Sequence, residues 1–218
     1  MNLLVSDFDG TFFDENYYMN IDYINNNKEN FDFAIATGRS MNSLLKDLKI
    51  SCKYYICNDG GYILDDKKNI IYKNYIDNHT IKTIYARILE LGYNEFYFDD
   101  INSLHKKPVE NINKVIIKLN NQNNIKNMEN IMNGLDDVYA YISTNWINII
   151  SINSTKSNAI NYILNNENYK NVYTVGNNIN DYDMLDKYNG YLVTNEINSN
   201  FNCINNFLEL EKIIKKSN

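Results

Sequence analysis

Short apolar runs that alternate with helical patterns constrain this chain more than any other feature of it. Leu3 to Phe8, Phe31 to Thr37, Tyr54 to Asn58, Val172 to Gly176 and Tyr191 to Thr194 each read as a strand. Helical patterns follow at Met41 to Leu48, Lys156 to Leu164, Asp181 to Tyr188 and Phe207 to Ile214. That alternation predicts an α/β protein with a parallel sheet. In four of the five strands a polar, chemistry-capable cluster stands at the C-terminal end, the edge where open parallel sheets carry their sites.

The middle of the chain has a different rhythm. Tyr62 to Leu64 and Ile70 to Tyr72 flank the polar turn Asp65 to Asn69 and read as a hairpin. A helix (Thr80 to Leu91), strands (Glu95 to Phe98, Val115 to Leu119), a second helix (Ile125 to Met132) and two more strands (Val138 to Ser143, Trp146 to Ile152) follow. This β-rich block reads as an α+β module, residues 62–151, inserted into a parallel-sheet core made of residues 1–61 and 152–218.

Composition narrows the class. The 218 residues are 44% hydrophobic and 22% charged, enough apolar material for a packed core and too much for disorder. A net charge of -6 argues against nucleic acid as a partner, because a phosphate backbone would repel it. No stretch approaches the apolar length of a membrane span, so no membrane partner is expected. The N-terminus has no basic region and reaches charge at Asp7, unlike a signal peptide, and the expected location is the cytoplasm. Cys52, Cys57 and Cys203 are odd in number and lack metal-ligand spacing.

Four clusters carry chemistry. Asp7-Phe8-Asp9-Gly10-Thr11 places two carboxylates two residues apart, after a buried strand and before a glycine turn. An aspartate nucleophile, its acid/base partner and a metal ion have that requirement. Ala36-Thr37-Gly38-Arg39 offers a hydroxyl and backbone amides beside a helix start, able to hold an anion. Lys156 opens a helix and supplies a point charge suited to phosphate. Gly176 to Asp181 ends a strand and begins a helix. Each has a plainer reading: a turn, a helix cap for Thr37 and Arg39, a solvated surface lysine, an N-cap at Asn178 to Asp181. All four nevertheless occur in order, each at a strand end or helix start of one inferred sheet.

With these residues in place the chain resembles the haloacid dehalogenase-like (HAD) phosphatases, in particular the Cof-type branch with a large cap after the third strand. The matching motifs are DFDGT at 7–11, ATGR at 36–39, Lys156 and GNNINDYDML at 176–185; Asn58-Asp59-Gly60-Gly61 stands where the family has Asn-Gly-Ala. The resemblance implies a Rossmann-like core with an inserted cap, and a Mg²⁺-dependent phosphatase acting on a small phosphorylated metabolite such as a sugar phosphate. It implies Asp7 as the nucleophile that becomes an aspartyl-phosphate and Asp9 as general acid and base. Thr37 and Lys156 would orient the phosphoryl group, with Thr11, Gly38, Arg39 and Asn180 as further phosphate or substrate contacts. Asp7, the Asp9 carbonyl, Asn177 and Asp181 would surround the metal.

One position departs from the family. Its fourth motif opens Gly-Asp, and here the acid is Asn177. An amide oxygen ligates Mg²⁺ but brings no charge, so the expected enzyme needs more magnesium. A phosphomutase and a catalytically faded phosphometabolite-binding relative are the alternatives.

Overall fold

A computed structural model of the chain describes residues 1–119, 124–194 and 200–214. Six parallel strands make up most of the larger sheet: β1 (Asn2–Ser6), β2 (Phe31–Ala36), β3 (Tyr54–Cys57), β11 (Val172–Gly176), β12 (Asn189–Val193) and β13 (Asn202–Ile204). Two antiparallel strands, β4 (Tyr62–Asp65) and β5 (Ile70–Lys73), extend it, giving the order β13-β12-β11-β1-β2-β3-β4-β5. From β1 the chain builds outward first through β2 and β3, then on the other side from β11. The reversal at β1/β11 opens a crevice at the carboxyl ends of those strands.

Burial on both faces explains the unbroken apolar run of β1. Leu4 joins the packed layer that includes α1 (Tyr17–Asn26), α2 (Met41–Asp47) and α7 (Leu210–Ile214). Leu3 and Val5, on the opposite face, pack with Ile160 and Ile163 of α5 (Lys156–Asn166) and Met184 of α6 (Tyr182–Lys187). Each of these three β1 side chains is fully buried, worth roughly 1.5–3 kcal/mol apiece.

The second sheet is antiparallel, in the order β7-β6-β8-β10-β9. Its strands are β6 (Phe96–Asp99), β7 (Leu104–His105), β8 (Lys114–Lys118), β9 (Val138–Ser143) and β10 (Trp146–Ser151), with helices α3 (Asn78–Glu90) and α4 (Asn124–Met132). Strand alternation sorts its side chains. Phe96, Phe98, Val115, Ile117, Ile147 and Ile149 pack with Ile81, Ile84, Ile88 and Ile131 of the helices. Lys114, Ile116, Tyr141, Trp146 and Asn148, on the other face, look onto the core. This sheet is the cap.

Three features differ from the sequence expectation. The hairpin assigned to the insert pairs with β3, so residues 62–73 extend the core sheet; hydrogen-bonding capacity on the β3 edge decides this, not composition. Helix α1 was not expected, because asparagine and aspartate interrupt a buried Tyr17, Ile21, Ile24 face at helical spacing. The short strands β7 and β13 were also missed. Among the described residues no helix is long and apolar enough to cross a membrane. Cys52 and Cys57 are buried and Cys203 is exposed, all with free thiols.

Candidate active site

The sequence clusters converge where the strands end. β1 delivers Asp7, β2 delivers Thr37 to Arg39, β3 leads into a turn at Asn58–Gly60, and β11 leads into Asn177 to Asp181. Two glycines make the approach possible. Gly10 has φ +76°, and a Cβ there would lie 2.4 Å from Asn177 Nδ2, so the loops after β1 and β11 meet only across a bare backbone. A Cβ on Gly176 would come 2.4 Å from Cβ of Asp181, which folds back beneath the strand end.

Thr155 caps α5 by accepting the Asn158 N–H at 3.2 Å, placing Lys156 at the first helical position. Lys156 is fully buried, and Nζ donates to Asp7 Oδ1 and to Asp181 Oδ1, each at 2.6 Å. Asp181 Oδ2 accepts the backbone N–H groups of Asn177 and Asn178, both at 2.9 Å. Burial first, then the Asp181 charge, pushes the Asp7 carboxyl up to about 7 against the pull of Lys156. Burial works to depress Lys156, but Asp181, Asp7 and Asp59 outweigh it and hold the ammonium above its ordinary range. An anionic site is thus built around one locked cation.

Thr37 is buried, and its hydroxyl accepts the Arg39 N–H at 3.1 Å. The Arg39 guanidinium grips the exposed Asp9 carboxylate with two nitrogens, Nε at 2.8 Å from Oδ2, and donates through Nη1 to Asp47 Oδ2 at 2.6 Å. It also lies 5.1 Å from the Phe8 ring centre.

A cavity of about 340 Å³ opens between these loops and the bare face of the cap sheet. Asp7, Asp9, Thr37, Gly38, Arg39 and Asn180 line its floor, and Lys114, Ile116, Tyr141, Trp146 and Asn148 its roof. Lys156 and Asp181 stand behind Asp7 and do not line it. Thr11, an expected phosphate contact, is fully buried off the cavity. Arg39 and Asn180, expected to face an anion, are instead paired with carboxylates, the latter through Nδ2 to Asp59 Oδ1 at 2.9 Å.

Sequence reasoning gave no role to Asp59, Lys114 or Tyr141. Asp59 is buried and accepts Lys114 Nζ at 2.6 Å and Tyr141 Oη at 2.7 Å, both on Oδ2. Lys114 Nζ also donates to the Gly38 carbonyl at 3.0 Å. Burial acts to raise Asp59, but Lys114 and Lys156 hold it at about 2. The available signal was a lone acid inside the apolar stretch 54–64; nothing marked Lys114 or Tyr141.

The donors available to a divalent cation are few. Among the described residues no three acidic, histidine or cysteine side chains converge as a metal set. Of the carboxylates that line the cavity, Asp9 is held by Arg39 and Asp99 stands on the cap. That leaves Asp7, with the Asp9 carbonyl close by in sequence and the Asn177 amide across Gly10, its oxygen accepting Asn178 Nδ2 at 3.3 Å. Mg²⁺ commonly binds through one or two carboxylates and keeps waters and substrate phosphate for the rest, so these hard oxygen donors fit it. Both Asp181 oxygens are engaged, so this acid, expected beside the metal, instead orients Lys156 and the loop.

A sequence profile described as haloacid dehalogenase-like hydrolase matches residues 4–100 and 85–200. A search of curated proteins found no significant match. Among solved structures, a haloacid dehalogenase-like hydrolase from B. subtilis superposes with TM-score 0.81 at 14% identity, covering 99% of each chain. A HAD/COF-like hydrolase from Plasmodium vivax gives 0.81 at 20% identity, covering 100% of this chain and 95% of that one. A sugar phosphatase of HAD subclass IIB gives 0.76 at 15%, covering 99% and 97%. At such identities the superpositions establish the shared fold.

Proposed function

The chain belongs to the haloacid dehalogenase-like hydrolases, and we propose that within them it is a Mg²⁺-dependent phosphatase for small monophosphate esters of neutral, hydroxylated leaving groups. The observation that carries this reading is the buried Asp7–Lys156–Asp181 cluster, with Asp7 opening onto a capped cavity.

Asp7 Oδ1 is fixed by Lys156, which leaves Oδ2 as the attacking oxygen. Oδ2 bonds to phosphorus as the ester P–O bond breaks, and Asp9, released from Arg39 and carrying a proton taken from solvent, gives that proton to the departing oxygen. Asp9, now a carboxylate, takes a proton from water, whose oxygen displaces Asp7 and releases inorganic phosphate. When bound, Mg²⁺ offsets the charge repulsion between carboxylate and phosphate. Asp9 must leave Arg39 to do this, and Asp47 retains the guanidinium when it turns away. Thr37 and the backbone at Gly38 line the place where phosphoryl oxygens would sit.

The roof favours one phosphate over two. Both cations lining the cavity are already matched, Lys114 by Asp59 and Arg39 by Asp9 and Asp47. A second phosphate would meet no free positive charge, which weighs against a phosphomutase working through a bisphosphate. Trp146, Tyr141 and Asn148 suit a hydroxylated ring instead. The neighbouring sugar phosphatase fold supports the same class. A panel of monophosphate esters and bisphosphorylated sugars at saturating Mg²⁺ tests this. Turnover of neutral sugar monophosphates without bisphosphate activation is expected. Binding without hydrolysis across the panel, or dependence on a bisphosphate, would refute the reading.

A further inference from the structure

We propose that Asp59, Lys114 and Tyr141 are positioning residues that form a charged clasp, holding the cap shut over the cavity and fixing the loops that carry the reactive groups. The clasp spans two bodies of the fold. Lys114 stands on β8 and Tyr141 on β9, the strands that flank β10 in the cap, and both converge on Asp59 Oδ2. On the core side it joins three loops. Asp59 follows β3, Asn180 follows β11 and donates to Asp59 Oδ1, and Gly38 follows β2 and accepts from Lys114. Thr37 is drawn in as well, since its carbonyl accepts the Asp59 N–H at 2.9 Å. All three clasp residues are at most 5% exposed.

Two physical features mark this as more than packing. Asp59 has φ 57°, a left-handed backbone uncommon outside glycine and tolerated best by asparagine and aspartate, and it turns the carboxylate toward the cap. A buried ion pair also adds little net stability over an apolar contact of the same shape, while specifying one geometry. For a lid the difference has a use: on opening, an apolar latch exposes oil to water, whereas Lys114 and Asp59 regain hydration. Charges thus make a closure that is dry and specific when shut yet inexpensive to open. Lys114 acts through Asp59 and Gly38, not on the leaving group.

Trp146, the only tryptophan in the chain, lines the same cavity from β10 and reports its closure. Acrylamide quenching of its fluorescence in the full chain needs no turnover, so it stands apart from the phosphatase reading on which the kinetic arm rests. Lys114→Met is expected to raise the quenching constant at least twofold and to lower kcat/KM for phosphate esters ten- to a hundredfold. Tyr141→Phe, which spares the ion pair and keeps the shape, should move both in the same direction by less. The double variant Asp59→Asn with Lys114→Met should lose no more than the worse single variant, because the two act as one unit. Asp7→Asn, dead or not, should quench as the parent does. Quenching unchanged in Tyr141→Phe and in folded Lys114→Met, or losses that simply add, would overturn the clasp. Raised quenching in a chain that hydrolyses nothing would leave the clasp standing and remove the phosphatase.

Discussion

Lys156 and Lys114 are both buried lysines that hold an aspartate at 2.6 Å, and their surroundings give them opposite uses. Lys156 is shared between two carboxylates, and Asp7 has it as its one described side-chain donor while facing the charge of Asp181. Burial first, then that charge, raises Asp7 to about 7, and the acid is directed at a cavity. Asp59 receives Lys114, Tyr141 and Asn180 and sits at about 2. One cluster leaves an oxygen short of partners, as a nucleophile needs; the other saturates its acid, as a joint needs. Burial is common to both, so the neighbouring charges, two carboxylates beside Asp7 against two ammoniums near Asp59, decide the direction, and the hydrogen-bond donors add to it.

The largest expected break in this contrast is Asp7→Asn. Turnover of an aryl phosphate should fall on the order of a thousandfold or more, because the attacking oxygen is gone. Thermal unfolding should meanwhile show a melting temperature equal to or above the parent's, since a carboxylate facing Asp181 has been neutralised. Next come the lysines. Lys156→Met strands two buried carboxylates and should cost roughly 3–5 kcal/mol in urea unfolding. Lys114→Met strands one acid that keeps two donors and the more distant charge of Lys156, and a smaller loss is expected; the reverse order would show that the surroundings described for these clusters do not govern them.

Acid titration sharpens the comparison further. Asp59 is lowered from 3.8 to about 2 in the fold, so its contribution is present above pH 4 and is lost as pH falls toward 2. Asp59→Asn should flatten that limb of the stability curve by about 2 kcal/mol, measured by urea unfolding between pH 5 and 2. The smallest effect concerns the metal. Asn177→Asp restores a charge across Gly10 and should lower the magnesium needed for half-maximal rate several-fold, roughly up to tenfold. An unchanged or higher requirement, read from magnesium titration of the rate, would remove Asn177 from the metal site.

The parts of the site that were legible in the sequence are those where local chemistry and chain position coincide. Asp7 follows an apolar run because a strand buried on both faces has no other composition, and its partners Thr37, Lys156 and Asp181 likewise stand at element ends. What was not legible depends on contacts between distant segments. Thr11 sits in the most suggestive motif yet is fully buried and does not line the cavity. Arg39 looked like an anion holder, but Asp9 and Asp47 reach it first. Lys114 opens a cap strand like many surface lysines, and only the descent of that strand onto β3's turn reveals its partner. The hairpin at 62–73 joins the core and not the insert for the same reason: alternation predicts a strand but not which edge it will join.

Periodicity and motif order, then, determined the α/β class, the inserted cap and which acids stand at the strand ends, since burial fixes which residues a strand or helix can carry. Tertiary structure alone decided which carboxylate is left wanting a donor and which is saturated. A pKa depends on every charge and dipole within a few ångströms, and those neighbours come from segments up to 149 positions apart in the chain.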